Sequence, residues 1–159
     1  MDPVAELLTP PPGYGTATSP LEWPPVRGIL ERAPAYWIAT VRPDGRPHTV
    51  PRDGFWVDDA LWYGGSPDTV HNRNILANPQ AVAHVGEYAE IVIVEGAVAQ
   101  GEAGEELRAR LAAAHEKYPQ YGPPPDPESF DTRGLLVLRP RRVLAWTHYP
   151  ENCTRFRFG

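Results

Sequence analysis

Short runs of β-forming residues, separated by tight turns, dominate the first half of the chain. AYWIATV (35–41) precedes the turn signal Pro43-Asp44-Gly45, and a second run extends from His48 to Val57. Another turn, Asp58-Asp59, leads into ALWYGG (60–65). Connections this short join antiparallel neighbours, because a parallel pair needs a crossover of a dozen or more residues. The segment therefore predicts a three-stranded antiparallel meander.

The rest of the chain adds strands and helices to this meander. The further strand-like runs are 81–85, 90–100 and 133–149. Helical patterns occur at 26–32 and, most clearly, at 102–118. A third, short helix is predicted to start at 66–68 and to stop at Asn78-Pro79. Five or six antiparallel strands within about 110 residues favour a small barrel. The predicted fold class is mainly β with two or more helices.

Prolines mark where this folded part ends. The chain has 20 prolines, concentrated in three clusters: Pro10 to Pro12, Pro24-Pro25, and Pro119 to Pro127. Proline fixes φ and donates no backbone hydrogen bond, so such clusters are typical of arms and loops. We expect an extended arm over residues 1–25 and a single domain over 26–159.

Composition excludes several classes of function. The net charge is −5, whereas proteins that bind nucleic acid use many cations against the phosphate backbone. The N-terminal residues lack a basic segment followed by a long apolar core, so they do not predict a signal peptide. No apolar run approaches the roughly 20 residues of a membrane span. Together with the single cysteine, Cys153, these features predict a cytoplasmic protein that binds neither nucleic acid nor membrane.

One polar stretch, GGSPDTVHNRNILANP (64–79), has the composition of an anion site. Ser66 or Asp68 is expected to cap a helix whose first N–H groups are free and whose N-terminus carries partial positive charge. Thr69 and Arg73 are four residues apart and share one flank of that helix. A hydroxyl, a guanidinium and a helix start converging on one spot predict a site for a phosphate group. The alternative is an ordinary, well-capped surface helix.

A longer segment around this stretch resembles a known family. YWIATVRPDGRPHTVPRDGFWVDDALWYGGSPDTVHNRNILANPQAVAHV resembles the core of the pyridoxamine 5′-phosphate oxidase-like, split β-barrel flavoprotein superfamily. The matching features are a strand reading ATV-PDG-PH-VP, an aromatic strand, the series T-H-RN---NP and a strand containing His84. The closing TRFRFG resembles the Thr-Arg-aromatic-Arg-Phe ending of the branch that uses flavins or the deazaflavin coenzyme. The match covers 35–100 well and 133–159 loosely.

The resemblance implies an antiparallel split β-barrel homodimer, with a cofactor in each groove between the subunits. Thr69 matches the phosphate-binding hydroxyl, Arg73 matches a helix cation, and Gly54 would let a flat ring approach the second strand. The final strand and tail would lie near the partner's groove. The cofactor-binding residues expected on this basis are Arg52, Asp53, Gly54, Phe55, Ser66, Thr69, His71, Arg73, Asn74, Trp146, Arg155 and Phe156.

The function implied is transfer of a hydride or an electron pair to a small organic substrate. The cofactor would be FMN or the deazaflavin coenzyme F-420, and the chain's size, the RN---NP segment and the tail favour the deazaflavin. The cofactor carries the chemistry in such proteins, so no catalytic side chain is expected. The tail lacks an Arg-x-His motif, which argues against true pyridoxamine phosphate oxidase activity. The histidines show no metal-ligand spacing, so no metal site is predicted.

Two alternatives remain open. The first is a non-catalytic dimer that stores or senses flavin or haem, with His71, His84 or His148 as an axial haem ligand. The second is a dimerisation domain without a ligand. His71 bears on the cofactor, because it stands where many relatives have lysine, and imidazole is neutral at pH 7 unless a phosphate raises its pKa.

Overall fold

Nine strands hydrogen-bond into one antiparallel sheet in the computed structural model, which describes residues 2–159. The strands are β1 (Val4–Leu7), β2 (Tyr36–Val41), β3 (Pro47–Arg52), β4 (Phe55–Val57), β5 (Ala60–Tyr63), β6 (Gln80–Glu87), β7 (Glu90–Gln100), β8 (Leu136–Trp146) and β9 (Thr154–Arg157). The helices are α1 (Trp23–Arg32), α2 (Val70–Ala77) and α3 (Glu105–Ala113), followed by 3-10 turns at 114–117 and 119–121. The predicted α+β, mainly antiparallel class is confirmed.

Strand β8 organises the sheet. The strand order is β1-β9-β8-β7-β6-β2-β3, and the β4–β5 hairpin joins β8 separately. One end of β8, Leu136–Leu138, pairs with β5, and the other end, from Arg142 to Ala145, pairs with β9. Within the described residues β1 and β3 are not paired with each other, so the sheet is not a closed ring of hydrogen bonds.

The predicted meander is wrong at its second strand. The run from His48 to Val57 is broken at Asp53-Gly54 into β3 and β4. The Gly54 N–H donates to the Tyr118 hydroxyl at 2.9 Å, and that hydroxyl donates to the Gly54 carbonyl at 2.9 Å. Both backbone groups of Gly54 are thereby taken out of strand pairing, and the following β4–β5 hairpin turns to β8 instead of β3.

The helix boundaries also differ from the prediction. Helix α1 begins at Trp23 rather than Val26, with Pro24-Pro25 in its first turn. Proline is tolerated there, because N–H groups in the first turn have no acceptor within the helix and the lack of one costs no hydrogen bond. The expected arm also contains β1, which pairs with β9. The clearest predicted helix, 102–118, is helical only over α3 and then tightens into 3-10 turns. The division into arm and domain stays a prediction.

Two apolar clusters hold these elements together. The larger lies between α1 and the inner face of the sheet, where Trp23, Val26 and Leu30 are buried. The smaller lies between the β4–β5 hairpin and α3 and includes Phe55 and Leu111. Helix α2 contributes only Ile75 to the larger cluster, so most of its buried face is polar. That polar face is the starting point for the functional site.

Candidate functional site

Helix α2 starts later than the sequence suggested. It begins at Val70 with Thr69 as its N-cap, and in the described part of the chain the Thr69 side chain makes no capping hydrogen bond. Ser66, predicted as a cap, instead closes a turn, in which its carbonyl accepts from the Thr69 N–H at 3.0 Å and the Thr69 hydroxyl at 2.8 Å. The first N–H groups of an α-helix have no intrahelical acceptor. The start of α2 therefore presents free donors and the positive end of the helix dipole.

Side chains hold the loop before α2 by its carbonyl groups. The Arg52 guanidinium donates to the Gly64 carbonyl at 2.9 Å, and the Asn72 amide donates to the Ser66 carbonyl at 2.7 Å. Arg73 donates to the Asp68 carbonyl at 2.7 Å. Asn72 was not predicted as a site residue, since its contact depends on the path of the loop rather than on helix spacing. We call the combination of Arg52, loop 64–69, His71 and Arg73 the α2-start site.

Several polar atoms under this loop have no hydrogen-bond partner within the described chain. They are His48 Nδ1, Arg52 Nε, Tyr63 Oη and His71 Nε2. His71 Nε2 lies against the loop, 3.0 Å from the position that a Cβ on Gly65 would occupy. Buried polar groups in native proteins are almost always satisfied, so a group of such atoms indicates a missing partner such as a ligand or water. Sequence reasoning missed His48 and Tyr63, because they come from strands that only the fold brings to α2.

His71 is buried, with 2% of its surface exposed. Burial lowers the pKa of its imidazole, and the positive Arg52 guanidinium and the His48 ring lower the pKa further. Desolvation and a nearby cation both disfavour the charged form. His71 is therefore neutral at pH 7 and adds no permanent charge to the α2-start site.

The fold brings together five of the predicted cofactor-binding residues and separates the others. Arg52, Ser66, Thr69, His71 and Arg73 all lie in the α2-start site. Asn74, expected in the same site, is buried on the other side of α2, where its amide donates to the Thr40 hydroxyl at 2.9 Å. It ties the helix to β2 rather than facing a ligand.

Three of the residues predicted on strands to contact the cofactor have packing roles within the chain. The space beside Gly54 is filled, since a Cβ there would lie 2.8 Å from Leu61 Cδ1, so this glycine serves the fold and not the approach of a flat ring. Phe55 packs on His115 in the smaller apolar cluster, with ring centroids 4.5 Å apart. Phe156 is fully buried against Trp23 and offers no surface to a ligand. The neighbouring Asp53 is exposed and accepts a hydrogen bond from Tyr121.

Trp146 and Arg155 lie far from the α2-start site within one chain. Tyr63, next to the loop, pairs with Leu136 at one end of β8, and Trp146 is at the other end. Ten residues of strand separate these ends by roughly 30 Å. Arg155 is 3.5 Å from the Glu6 carboxylate. A site containing both groups of residues would need a second copy of the chain.

The outer face of the sheet is apolar along one row that crosses five strands. Direct strand partners place Pro51, Trp37, His84, Ile93 and Leu144 side by side in that order. Trp37 is 45% exposed and stacks on His84 with 12° between the ring planes. Pro51 is also exposed and the other three residues of the row are half-buried, and exposed apolar surface of this kind is typical of a protein interface.

A family model described as pyridoxamine 5′-phosphate oxidase matches residues 23–147. This chain belongs to that family. The match spans α1, strands β2 to β8 and the α2-start site, and it confirms the resemblance seen in the sequence. Members of the family are commonly dimers, and the family binds flavin or deazaflavin cofactors. No curated protein matches the chain.

Solved structures share the fold at low sequence identity. A conserved hypothetical protein from Mycobacterium tuberculosis has a TM-score of 0.66 at 21% identity, over 81% of this chain and 86% of that one. An F420 reductase has a TM-score of 0.54 at 24% identity, over 79% of this chain and 98% of that one. A haem-binding protein from Mycobacterium smegmatis has a TM-score of 0.58 at 22% identity, over 79% of this chain and 53% of that one. Identities this low establish a common fold only.

Cys153 is a free, buried thiol, and burial raises its pKa, as expected of an unreactive cysteine. Across residues 2–159 no three histidine, cysteine, aspartate or glutamate side chains come together as a metal site would require. No helix in that range is long and apolar enough to cross a membrane.

Proposed function

We propose that the protein is a homodimeric oxidoreductase that binds a flavin or deazaflavin cofactor. It would pass a hydride or an electron pair between that cofactor and a small organic substrate. The cofactor's phosphate would be held at the α2-start site, and the family match supports a cofactor of this class. Within that class the deazaflavin coenzyme F-420 is the one we favour.

The observation that carries the proposal is the set of unused donors under loop 64–69. Arg52 Nε and His71 Nε2 are buried and have no hydrogen-bond partner among residues 2–159, and they lie next to the free N–H groups at the start of α2. A phosphate has several acceptor oxygens, so it can accept from Arg52 Nε, from the N–H groups at the helix start and from His71 Nε2 in the tautomer that is protonated there. The residues present therefore fit the phosphate end of the cofactor.

Each residue has a definite role in this proposal. Arg52 holds the loop through its bond to the Gly64 carbonyl and keeps its Nε for the phosphate. The hydroxyl of Thr69 would turn from the Ser66 carbonyl to the phosphate, as would the exposed Arg73 from the Asp68 carbonyl. Both side chains are at the surface, so exchanging one acceptor for another has a small free-energy cost.

A second copy of the chain would complete the site. The apolar row containing Trp37, Ile93 and Leu144 gives a surface on which two chains can pack. Trp146 lies roughly 30 Å from the α2-start site along its own β8, and a partner subunit could bring its equivalent close. We propose that Trp146 and Arg155 act on the partner's cofactor and not on the cofactor of their own chain.

The bound cofactor would accept or donate the hydride, and the protein's part is binding, orientation and exclusion of water. Arg52, Thr69 and Arg73 would fix the phosphate end. No side chain is assigned a proton-transfer role, and the substrate is a small molecule that the fold does not identify further. The proposal needs no residue outside the family's ordinary arrangement.

Cofactor titration of the purified protein tests this proposal. We expect FMN or the deazaflavin coenzyme F-420 to bind with one cofactor per subunit and to change the visible absorption spectrum. Sedimentation should show a dimer, and Trp37→Glu should convert it to a monomer with weaker cofactor binding. Absence of binding by both cofactors would contradict the proposed function.

A non-catalytic haem-binding dimer is the second candidate, and the haem-binding structural neighbour gives a reason to test it. His71 does not suit an axial role, because its ring is buried beneath Gly65. His84, stacked on Trp37, and the exposed His148 stay as candidates. A Soret band on haem titration that His84→Ala or His148→Ala removes would favour this function over the first.

A further inference from the structure

The outer face of the sheet is positively charged on one side of the apolar row. Alternation along β8 and β9, with one bulge in β8, places four exposed arginines there, on the same face as Leu144. They are Arg139, Arg141, Arg142 and Arg157. The carboxylate of Glu95 pairs with Arg142, and Glu6 contacts Arg157 as well as Arg155. Four arginines against these two carboxylates leave a net formal charge of +2. We call this region the arginine end.

The β-bulge turns Arg141 onto the outer face. The register between β7 and β8 shifts at Glu95/Gly96, which leaves Arg141 without a direct partner on β7. A Cβ on Gly96 would lie 1.9 Å from the Arg139 carbonyl oxygen, so the two strands approach too closely there for any other residue. Arg141 reaches across β7 and donates to the Gln80 side chain of β6. Among residues 2–159 no carboxylate pairs with Arg141, so its charge is available to a partner.

The opposite end of the same strands is negatively charged. Glu87 and Glu90 are exposed at the turn between β6 and β7, and Glu151 is exposed in the loop that follows β8 at this end. Within residues 2–159 none of these three carboxylates is in an ion pair. Arg32 of α1 lines the same cavity as Glu87 and Glu90. Three carboxylates against this one arginine leave a net formal charge of −2. We call this region the glutamate end.

The apolar row lies between the two charged ends. On β6, His84 is three residues from Glu87, and on β8, Leu144 is two residues from Arg142. A strand rises about 3.3 Å per residue, so each charged end begins about 7 to 10 Å from the row. The outer face is therefore apolar along its middle and carries opposite charges at similar distances on either side.

A face with this pattern is complementary to a second copy of itself in one orientation. The two-fold axis of a dimer packed face to face lies in the plane of the interface. If the axis runs along the apolar row, the rotation reverses the strand direction and places the arginine end opposite the partner's glutamate end. If the axis runs along the strands, each charged end meets its own equivalent, and like charges opposed across an interface destabilise it.

We propose that two copies of the chain pack through the outer face with their two-fold axis along the apolar row, so that Arg141 faces the glutamate end of the partner. The inference rests on the proposed homodimer and adds how the partner is oriented and which charges it supplies. The apolar row then packs against its own equivalent, and the charged ends pair on both sides of it.

This orientation also bears on the α2-start site. Helix α2 leads into β6 at Gln80, so it lies at the arginine end of the sheet, whereas Trp146 lies towards the glutamate end. Rotation about the apolar row carries the partner's Trp146 towards the end where α2 lies. An axis along the strands would leave it at the far end, roughly 30 Å away along the strand direction. The charge pattern thus selects the orientation in which the partner can contribute to the cofactor site.

Cross-linking of single-cysteine variants tests the axis. The unmodified protein, in which Cys153 is buried, is the control. Facing sheets lie about 10 Å apart, so a bis-maleimide of about that span joins only residues that face each other. An axis along the row predicts that His84→Cys and Leu144→Cys each cross-link to their own equivalent. Ile91→Cys and Glu95→Cys, on either side of the row on β7, should cross-link only when the two chains are co-expressed.

Charge reversal tests the pairing of the ends. Arg141→Glu and Glu87→Arg should each raise the dissociation constant of the dimer about tenfold, and the two changes in one chain should restore it to within about threefold. In the double variant each new carboxylate meets a new guanidinium of the partner. Arg27→Glu is the matched control, because it makes the same change of charge on α1, on the other face of the sheet, and should leave the constant unchanged. Sedimentation measures the dissociation constant.

The outcomes separate this inference from the homodimer on which it rests. Cross-linking of Ile91→Cys and Glu95→Cys to their own equivalents, without that of His84→Cys and Leu144→Cys, would overturn the axis and keep the dimer. Two charge reversals that add instead of compensating would also overturn it. A protein that sediments as a monomer and gives no cross-link at any of these positions would overturn both the axis and the proposed homodimer, and its arginine end would then be open to an acidic partner.

Discussion

The surroundings of Lys117 and the α2-start site both contain cationic side chains, and they differ in whether the nitrogen atoms of those side chains have hydrogen-bond acceptors. Lys117 Nζ donates to the Ala33 carbonyl at 3.2 Å, the Tyr36 hydroxyl at 3.2 Å and the Glu31 carbonyl at 3.4 Å. Its three protons thus have three acceptors, and we call this group the Lys117 cluster. In the α2-start site, Arg52 and His71 keep nitrogen atoms with no partner among the described residues.

The difference separates a structural cation from a binding one. Lys117 satisfies carbonyls at the end of α1 and lies over the rings of Tyr36 and Tyr118, at 5.0 and 5.1 Å from their centroids. Such an arrangement needs no ligand, although it borders an open cavity of about 640 Å³. In the α2-start site, by contrast, buried polar atoms have no partner among residues 2–159, which is why we propose it as the binding site. A larger cavity, of about 910 Å³, is lined by Gly65, Pro67 and Asn72 at the loop before α2.

The largest effect should come from Arg52. Arg52→Gln removes the charged donor that we propose for the cofactor's phosphate, and hydrogen bonds to charged groups contribute about 1.5–3 kcal/mol. We expect cofactor affinity to fall by about 10- to 100-fold, with the protein still folded. Spectroscopic titration measures the affinity, and Arg46→Gln, at an exposed turn, is the control. Unchanged affinity would mean that Arg52, like Lys117, stabilises the fold and does not bind the cofactor.

Lys117→Met should lower the stability of the protein and leave its cofactor affinity almost unchanged. It leaves the carbonyls at the end of α1 without their donor, and we expect a loss of about 2 kcal/mol in the free energy of unfolding. Cofactor affinity should stay within twofold of the unmodified protein. Urea denaturation and the same titration measure the two quantities. A large loss of affinity in a folded Lys117→Met protein would remove the distinction between the clusters.

Asn74→Ala tests the buried face of α2. The change leaves the buried Thr40 hydroxyl without its amide donor and should destabilise the protein by about 1–2 kcal/mol. Because Asn74 faces β2, its loss should lower cofactor affinity only indirectly, by making the position of α2 less well fixed. Thr69→Ala offers the matched contrast, since Thr69 is at the loop surface and its loss should weaken cofactor binding more than stability.

The smallest effect is a pH dependence of stability. Burial lowers the pKa of Lys117 to about 8 in the folded protein, whereas a free lysine has a pKa of about 10.4. The unfolded chain therefore binds more protons between these values, and unfolding free energy should rise as the pH increases from about 8 to 10. Lys117→Met should remove this rise. Urea denaturation in steps of one pH unit measures it, and stability that falls over this window in the unmodified protein would contradict the assignment.

The sequence predicted the elements whose pattern is local. Strand β7 and the stop of α2 before Pro79 follow from alternation and from proline chemistry. The break at Gly54 depends on Tyr118, 64 residues away, and β1 is a strand only because β9 lies beside it. No local pattern contains such information.

The candidate site was predictable to a similar degree. Thr69 and Arg73 follow from composition and helix spacing, and the resemblance added Arg52. The burial of His71 and Asn74 could not be predicted, because it depends on which residue starts α2, and the helix begins at Val70 rather than at 66–68. A shift of that size turns a helix face from solvent towards the sheet.

A crystal structure of the protein with its bound cofactor tests the central distinction most directly. We predict the cofactor's phosphate oxygens at about 3 Å from Arg52 Nε and from N–H groups at the start of α2. Lys117 should keep its three acceptors unchanged in that structure. A phosphate bound in the cavity beside Lys117, with Arg52 and His71 still without partners, would contradict the account.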